Sequence, residues 1–168
     1  PAMEAAETAF TCRRAAAELF HVPDPEQVVF TFNATHGLNI AIRTLIGPGG
    51  RAVISGYEHN AVTRTLHAIP GAEVRVADCP LFRRDLALAA FHRELETERP
   101  DGVICTHVSN VFGFILPVEE IAALCREKEI PLVVDASQSA GCIPLDFQAL
   151  GADFVAMPGH KGLYGPQG

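Results

Sequence analysis

The sequence has 168 residues, 48% of them hydrophobic, and a formal net charge of −7. A chain of this length and apolar content can bury a sizeable core, which excludes an intrinsically disordered protein. It has no basic cluster and no apolar run as long as a membrane span, so neither nucleic acid nor a membrane is an expected partner.

Hydrophobic periodicity predicts one domain in which helices and strands alternate. The predicted helices cover 2–20, 35–46, 59–69, 84–97 and 117–129, and the predicted strands cover 28–32, 52–54, 72–77, 102–106, 132–134 and 154–157. Apolar strands separated by single helices are typical of βαβ units. The pattern therefore predicts an α/β fold with three αβα layers and a mostly parallel sheet.

The cysteines and the first residues of the sequence indicate the cellular compartment of the protein. The five cysteines are odd in number, widely spaced and never in a Cys-x-x-Cys pair: Cys12, Cys79, Cys105, Cys125 and Cys142. This spacing argues against a disulfide scaffold or a zinc knuckle and favours a reducing compartment. The first residues lack the basic and apolar regions of a signal peptide, so we expect a cytoplasmic protein.

Polar side chains follow five of the six predicted strands. They lie at Asn33–Asn39, Glu58–Asn60, Thr106–Asn110, Asp135–Gln138 and His160–Lys161. The carboxyl ends of parallel strands lie at one edge of a sheet, where α/β proteins bind their ligands. We therefore expect these groups to share a site.

Two of these groups suit a phosphorylated aromatic cofactor. The Thr35–Gly37 turn opens a helix, whose free N–H groups favour a phosphate, although an ordinary N-cap has the same sequence. Asp135 closes an apolar strand, so its carboxylate needs a cationic partner. A pyridinium nitrogen would serve; a metal ion or an arginine is the alternative.

The remaining groups suit an aldehyde on that ring. Lys161 is the only group at these strand ends that forms an imine with an aldehyde, and desolvation or a protonated His160 would activate its amine. The alternative is an ordinary surface lysine. His59 could stack on a ring and Asn110 and Gln138 could bind its hydroxyl, although each alone is also typical of a helix start or a loop.

Motifs of competing sites are absent from the sequence. It has no Gly-x-x-x-x-Gly-Lys-Ser/Thr loop, and no Gly-x-Gly-x-x-Gly follows the first predicted strand. It also lacks His-Glu-x-x-His and Gly-x-Ser-x-Gly. A nucleotide site, a zinc-protease site and a serine-hydrolase site therefore lack their signatures.

Five motifs, in the expected order over essentially the whole chain, resemble the class V aminotransferases. They are Ala34-Thr35, Glu58-His59-Asn60, Thr106–Gly113, Asp135-Ala136-Ser137-Gln138 and Gly159–Gly168. The similarity is greatest to the cysteine desulfurase and selenocysteine lyase branch. It implies a fold-type I pyridoxal-phosphate enzyme, with residues 1–168 as part of the cofactor-binding large domain.

The resemblance also implies the catalytic residues. Lys161 would hold pyridoxal 5'-phosphate as a Schiff base and later move the α-proton of the substrate. Asp135 would pair with the pyridine nitrogen, so that the ring accepts electrons. His59 would stack on the ring.

Five further residues would contact the cofactor by the same resemblance. Asn110 and Gln138 would contact the hydroxyl side of the ring. Thr35, its neighbour His36, and His160 would lie at the phosphate.

The reaction implied is removal of sulfur from cysteine, or selenium from selenocysteine, leaving alanine, by a homodimeric full-length protein. Alternatives within the family are transamination, kynureninase-type cleavage and epimerisation. A different alternative is a non-catalytic module that has lost its cofactor. Pro158 motivates it, because related enzymes commonly have a phosphate-binding serine or threonine there. Gly162 is an extra residue relative to many desulfurases.

Several family features are expected outside these 168 residues. The sulfur-accepting cysteine, the arginine that binds the substrate carboxylate and a small C-terminal domain would lie downstream. An N-terminal segment that helps to close the site is also expected to be absent. We therefore expect this chain alone to be inactive, and its own cysteines to be small, mostly buried hydrophobic residues.

Overall fold

The computed structural model describes residues 1–166 and has a parallel sheet at its centre. The five strands are β1 (Arg51–Ser55), β2 (Glu73–Ala77), β3 (Gly102–Thr106), β4 (Leu132–Asp135) and β5 (Phe154–Ala156). Their order across the sheet is β2-β1-β3-β4-β5, and every neighbouring pair is parallel. The predicted α/β architecture is confirmed.

Within residues 1–166, six α-helices accompany the sheet. They are α1 (Ala2–Phe20), α2 (Ala34–Leu45), α3 (Asn60–His67), α4 (Arg84–Thr97), α5 (Val118–Glu127) and α6 (Phe147–Leu150). The first five agree with the predicted helices to within two residues at each end. The four-residue α6 is too short to show helical periodicity, so the sequence did not predict it. No described helix is both long and apolar enough to cross a bilayer.

Both faces of the sheet are buried, which explains the continuously apolar strands. Ile54, Ile104 and Val133 point to the face covered by α2 and α3, whereas Val53 and Val103 point to the face covered by α4 and α5. Successive side chains of a strand alternate between faces, so a strand buried on both sides needs apolar residues throughout. Full burial of each such side chain contributes about 1.5–3 kcal/mol.

The predicted strand at 28–32 is wrong. A 3-10 turn (Pro25–Gln27) precedes this segment, which pairs with no strand among the described residues. Val29 is 69% exposed and Phe32 is 81% exposed. β-branched and aromatic residues favour a strand only where a partner strand and a packed face are available, and neither is available here. The described sheet therefore has five strands rather than the expected six.

The strand order determines where the loops after the strands can form a ligand site. The chain passes from β1 to β2 on one side, and then adds β3, β4 and β5 on the other side of β1. The connections therefore diverge between β1 and β3, and ligands of open α/β sheets bind at such a divergence, outside the carboxyl ends of the strands. We call this side, where the strands end, the carboxyl edge, and the opposite side the amino edge.

Candidate functional site

A cleft opens at the carboxyl edge, between the start of α2 and the loops that follow β1, β3, β4 and β5. Seven of the eight residues predicted from sequence line it: Thr35, His59, Asn110, Asp135, Gln138, His160 and Lys161. These residues are spread over more than 120 positions of sequence, and the parallel sheet brings them together.

His36 is the predicted residue that lies outside the cleft lining. Its ring stacks on Phe32, with centroids 5.1 Å apart, and its Nδ1 accepts a hydrogen bond of 3.3 Å from the Phe32 N–H. The side chain therefore supports the turn before α2 and does not face the cleft.

The start of α2 suits an anion. Asn33 is the N-cap, and its side chain accepts a hydrogen bond of 2.9 Å from the His36 N–H. The N–H groups of Ala34 and Thr35 have no hydrogen-bond partner within residues 1–166, and both residues line the cleft. Free N–H groups and the positive end of the helix dipole together favour a phosphate.

Asp135 presents a buried carboxylate to the cleft. It is the last residue of β4, is only 3% exposed, and pairs in register with Thr106 of β3 and Ala156 of β5. Among the described residues its side chain accepts one hydrogen bond, of 2.9 Å from the Ser137 N–H. A buried carboxylate with so little compensation favours a cationic partner, such as a protonated ring nitrogen.

His59 is held by the helix that follows it. It is the N-cap of α3, and its Nδ1 accepts a hydrogen bond of 3.0 Å from the Ala61 N–H. The neutral ring therefore carries its proton on Nε2. Because the cap fixes the ring beside the cleft, His59 can contact a planar ligand without ordering a free side chain.

Lys161 lies in a tight loop whose shape depends on glycine. The Gly165 N–H donates a hydrogen bond of 2.7 Å to the Gly159 carbonyl. A Cβ at Gly162 would lie 2.3 Å from the carbonyl oxygen of Ala140, so only glycine allows this approach. Gly162 therefore lets the lysine loop pack against the segment after β4.

Pro158, which precedes this loop, is buried in the cleft lining. Proline has no N–H and no hydroxyl, so it offers no hydrogen-bond donor to a phosphate. Other members of the lining do carry donors, among them the start of α2, Thr35 and His160. The last residues of the glycine-rich motif, Gln167 and Gly168, lie outside the described residues.

Sequence reasoning gave no role to Glu58, which the structure places directly behind the cleft. Its Oε1 accepts hydrogen bonds from the Ser55 hydroxyl and from the Thr106 N–H, the latter of 2.8 Å. Its Oε2 is buried and has no hydrogen-bond partner among the described residues. Desolvation, with a smaller contribution from the charge of Asp135, raises the pKa of Glu58 to about 8 although these hydrogen bonds oppose the shift. An acidic residue three positions after a buried strand was the available signal.

The cysteines agree in part with their expected role as buried hydrophobic residues. Cys79, Cys105 and Cys125 are buried, whereas Cys12 and Cys142 are exposed. Burial raises the pKa of all three buried thiols, that of Cys125 to about 12. A thiol with a raised pKa stays protonated at neutral pH and is a poor nucleophile.

Comparisons of the sequence with known proteins agree on one family. The whole chain, residues 1–168, matches the family model described as Aminotransferase class-V. Cysteine desulfurase IscS of Pseudoalteromonas translucida is 34% identical over 98% of this chain and 41% of the relative. The mitochondrial cysteine desulfurase of Drosophila melanogaster is 33% identical over 86% of this chain and 32% of the relative. The chain thus spans less than half the length of these relatives.

Solved structures resemble the fold closely. The apo cysteine desulfurase of Thermococcus onnurineus NA1 has a TM-score of 0.84 and 28% identity, covering 98% of this chain and 42% of that one. The cysteine desulfurase CsdA of Escherichia coli has a TM-score of 0.80 and 27% identity, covering 96% and 42%. SspA, in complex with cysteine, has a TM-score of 0.85 and 28% identity, covering 99% and 49%.

Proposed function

The chain belongs to the class-V aminotransferase family, and we propose that its full-length protein is a pyridoxal-phosphate-dependent enzyme of the cysteine desulfurase type. It would remove sulfur from L-cysteine, or selenium from selenocysteine, and leave L-alanine. The observation that carries the proposal is one cleft lined by Lys161, the buried Asp135, His59 and the free start of α2. Relatives named cysteine desulfurase, and a similar structure in complex with cysteine, support it.

The cleft lining fits the chemistry of pyridoxal phosphate. The free N–H groups of Ala34 and Thr35 suit its phosphate, the Asp135 carboxylate suits its ring nitrogen, and the Lys161 amine suits its aldehyde. When bound, the cofactor supplies an aldehyde that reacts with amines and a ring that withdraws electrons from the α-carbon of the substrate.

Three residues of the cleft would each have a separate role at the cofactor, set by the charge or the shape of the side chain. Asp135 would hold a proton on the ring nitrogen, because a negative group in a desolvated setting favours the protonated ring. His59 would contact the face of the ring and so help to orient it. The Lys161 Nζ would anchor the aldehyde and accept the α-proton of the substrate, acting as a general base.

Lysine attachment is the direct test, and the chain offers a matched control. It contains two lysines, Lys128 and Lys161, and Lys128 forms an ion pair with Glu96. Borohydride reduction after incubation with pyridoxal phosphate should label Lys161. Lys161→Arg should lose the label and Lys128→Arg should keep it. Equal labelling of both lysines, or none of Lys161, would count against the proposal.

We propose that the 168-residue chain by itself turns over little or no cysteine. Its buried thiols have raised pKa values and are poor acceptors for sulfur, and no cysteine lines the cleft within the described residues. Release of alanine and sulfide from cysteine should be measured for this chain and for the full-length protein. Brisk turnover by the chain contradicts this second proposal, whereas no turnover by the full-length protein contradicts the first.

We also propose that the full-length protein is a homodimer. Phe32 is 81% exposed and Tyr164 is 94% exposed. Both lie close in sequence to the first and last residues that line the cleft. A second subunit would cover this exposed apolar surface. Sedimentation equilibrium of the full-length protein should give twice the monomer mass. A monomer at micromolar concentration would contradict this.

A cytoplasmic location remains our proposal from the cysteines. All five are free in the structure, which is typical of a reducing compartment. Cell fractionation should recover the protein with cytoplasmic markers.

Pro158 favours a second candidate, a non-catalytic module that does not retain the cofactor. It is buried in the lining and offers a phosphate neither an N–H nor a hydroxyl. A protein that stays colourless with added pyridoxal phosphate would support this candidate. A full-length protein that binds the cofactor but forms keto acid, or a cleavage or epimerisation product, instead of alanine and sulfide would support another reaction of the family.

A further inference from the structure

The side chain of Glu58 continues the pairing of two strands beyond their ends. The β1–β3 ladder joins Ala52–Ile54 to Gly102–Ile104 and stops there. Two residues further along β3, the Thr106 N–H donates to Glu58 Oε1 at 2.8 Å, and the Ser55 hydroxyl at the end of β1 donates to the same oxygen. One carboxyl oxygen therefore joins the ends of two strands where the backbone no longer does.

This junction lies directly behind residues of the cleft. His59 follows Glu58 in the chain, and Thr106 itself lines the cleft. Thr106 pairs in register with Asp135, and its hydroxyl donates to the Val108 carbonyl at 3.1 Å. Glu58 is not part of the lining, so any effect that it has on a ligand passes through these neighbours.

We propose that Glu58 is a positioning residue of the cofactor site, whose carboxyl oxygen ties the end of β1 to the end of β3 and so fixes His59 and Thr106 in the cleft. The identity of the ligand, pyridoxal phosphate, rests on the proposed function. The tie itself does not, because it is a property of the folded chain.

The charge state of Glu58 fits this role. Its raised pKa, about 8, keeps the carboxyl group protonated near neutral pH. The titratable groups around it are Asp135 on β4, the Cys105 thiol on β3 and its own neighbour His59. Ionisation would place a second negative charge near Asp135, on a carboxyl group whose Oε2 has no donor among the described residues. When Glu58 is neutral, Asp135 is the only carboxylate of this pair. A cationic ring nitrogen would then pair with Asp135 without a competing negative charge behind it.

Two variants and a control separate positioning from general stability. Glu58→Gln keeps a neutral group with an acceptor oxygen, whereas Glu58→Ala removes the acceptor. Glu94→Ala is the control, because Glu94 is a half-buried glutamate on α4 that contacts Arg93 and does not line the cleft. Hydrogen exchange at the Thr106 amide of the cofactor-free protein and absorbance titration with pyridoxal phosphate are the two measurements.

In Glu58→Ala, the Thr106 amide should exchange about tenfold faster and pyridoxal phosphate should bind about tenfold more weakly, the size of one lost hydrogen bond. Glu58→Gln and Glu94→Ala should resemble the wild type in both measurements.

The pH dependence gives an independent measurement. The folded pKa of Glu58, about 8, lies above its ordinary value of 4.5, so the folded chain holds a proton that the unfolded chain has released. The stability contributed by the neutral acid is fully present below about pH 4.5 and is lost as the pH rises through about 8. The Tm of the wild type should fall between pH 6 and pH 9 by more than that of Glu58→Gln.

Either of two results would overturn the inference: unchanged exchange and affinity in Glu58→Ala, or damage by Glu58→Gln as large as that by Glu58→Ala. If Glu58→Ala does not fold, the pH dependence of Tm still tests the inference. Equal pH profiles of Tm for Glu58→Gln and the wild type would overturn it. A wild type that binds no pyridoxal phosphate would refute the proposed function, whereas exchange at Thr106 would still test the tie.

Discussion

The two edges of the sheet carry similar polar residues but use them differently. At the amino edge, Asp101 accepts a hydrogen bond of 2.7 Å from the Arg51 N–H, and Asp153 accepts one of 2.8 Å from the Leu132 N–H. Each carboxylate satisfies the first N–H of a strand. At the carboxyl edge, Asp135 accepts one hydrogen bond, from Ser137, and its remaining capacity faces a cleft.

This difference separates a structural edge from a functional one. The amino edge also has a depression, but its Arg126 already donates to the Leu150 carbonyl at 3.2 Å. Polar composition alone does not distinguish the edges. The distinguishing property is burial: Asp101 and Asp153 are exposed to water, whereas Asp135 is 3% exposed and its remaining hydrogen-bonding capacity faces the cleft.

The largest effect is expected at Asp135. Asp135→Asn keeps an oxygen for the Ser137 N–H but removes the charge, so alanine formation by the full-length protein should fall roughly 10²–10³-fold, the range for loss of a charge-stabilising group. Asp101→Asn, at the amino edge, is the matched control and should leave the rate unchanged. Equal losses in both variants would remove the functional distinction between the edges.

The lysine loop should be the next most sensitive feature. In Gly162→Ala the new Cβ meets the Ala140 carbonyl at 2.3 Å, whereas in Gly159→Ala nothing lies within 4 Å. Overpacking of this kind costs about 1–3 kcal/mol. Urea denaturation should show this loss for Gly162→Ala only, together with weaker borohydride labelling of Lys161. Equal behaviour of the two variants would contradict the close approach.

A carboxylate of the amino edge should affect stability without affecting the reaction. Asp153→Ala leaves the Leu132 N–H unsatisfied in a half-buried position, which costs about 1–2 kcal/mol. Asp153→Asn, which keeps an acceptor oxygen, should recover much of that loss. The rate per folded molecule should not change in either variant, and a large fall in rate would show that the amino edge also serves function.

The smallest effect is expected for the ion pair between Arg51 and Glu98, also at the amino edge. Both side chains are more than a third exposed, and exposed pairs contribute about 0.2–1 kcal/mol. Glu98→Gln should therefore lower the free energy of unfolding by less than about 1 kcal/mol, and 0.5 M salt should reduce the difference. A larger, salt-independent loss would contradict this assignment.

Some elements could be predicted to the residue. The bounds of α4 (Arg84–Thr97) and β3 (Gly102–Thr106) agree with the sequence pattern at both ends. Their apolar periodicity and their flanking breakers are local, and their burial agrees with that pattern. The segment 28–32 has an equally clear strand composition, but it pairs with no strand in the part of the chain that the structure describes.

The candidate site was predictable to the extent that it follows from strand ends. Thr35, His59, Asp135 and Lys161 meet because parallel strands end at one edge. The structure differs at His36, whose ring packs on Phe32. That contact depends on a turn whose shape the sequence pattern did not predict.

The sequence by itself therefore determined the first five helices, five of the strands, the parallel sheet and the chemical groups at its carboxyl edge, because these depend on periodicity and spacing along the chain. The tertiary structure decided which strand-like segments paired with a neighbouring strand, which carboxylates were buried, and that Glu58 joins β1 to β3. Strand pairing, desolvation and hydrogen-bond satisfaction all depend on residues distant in the chain, and no local pattern encodes them.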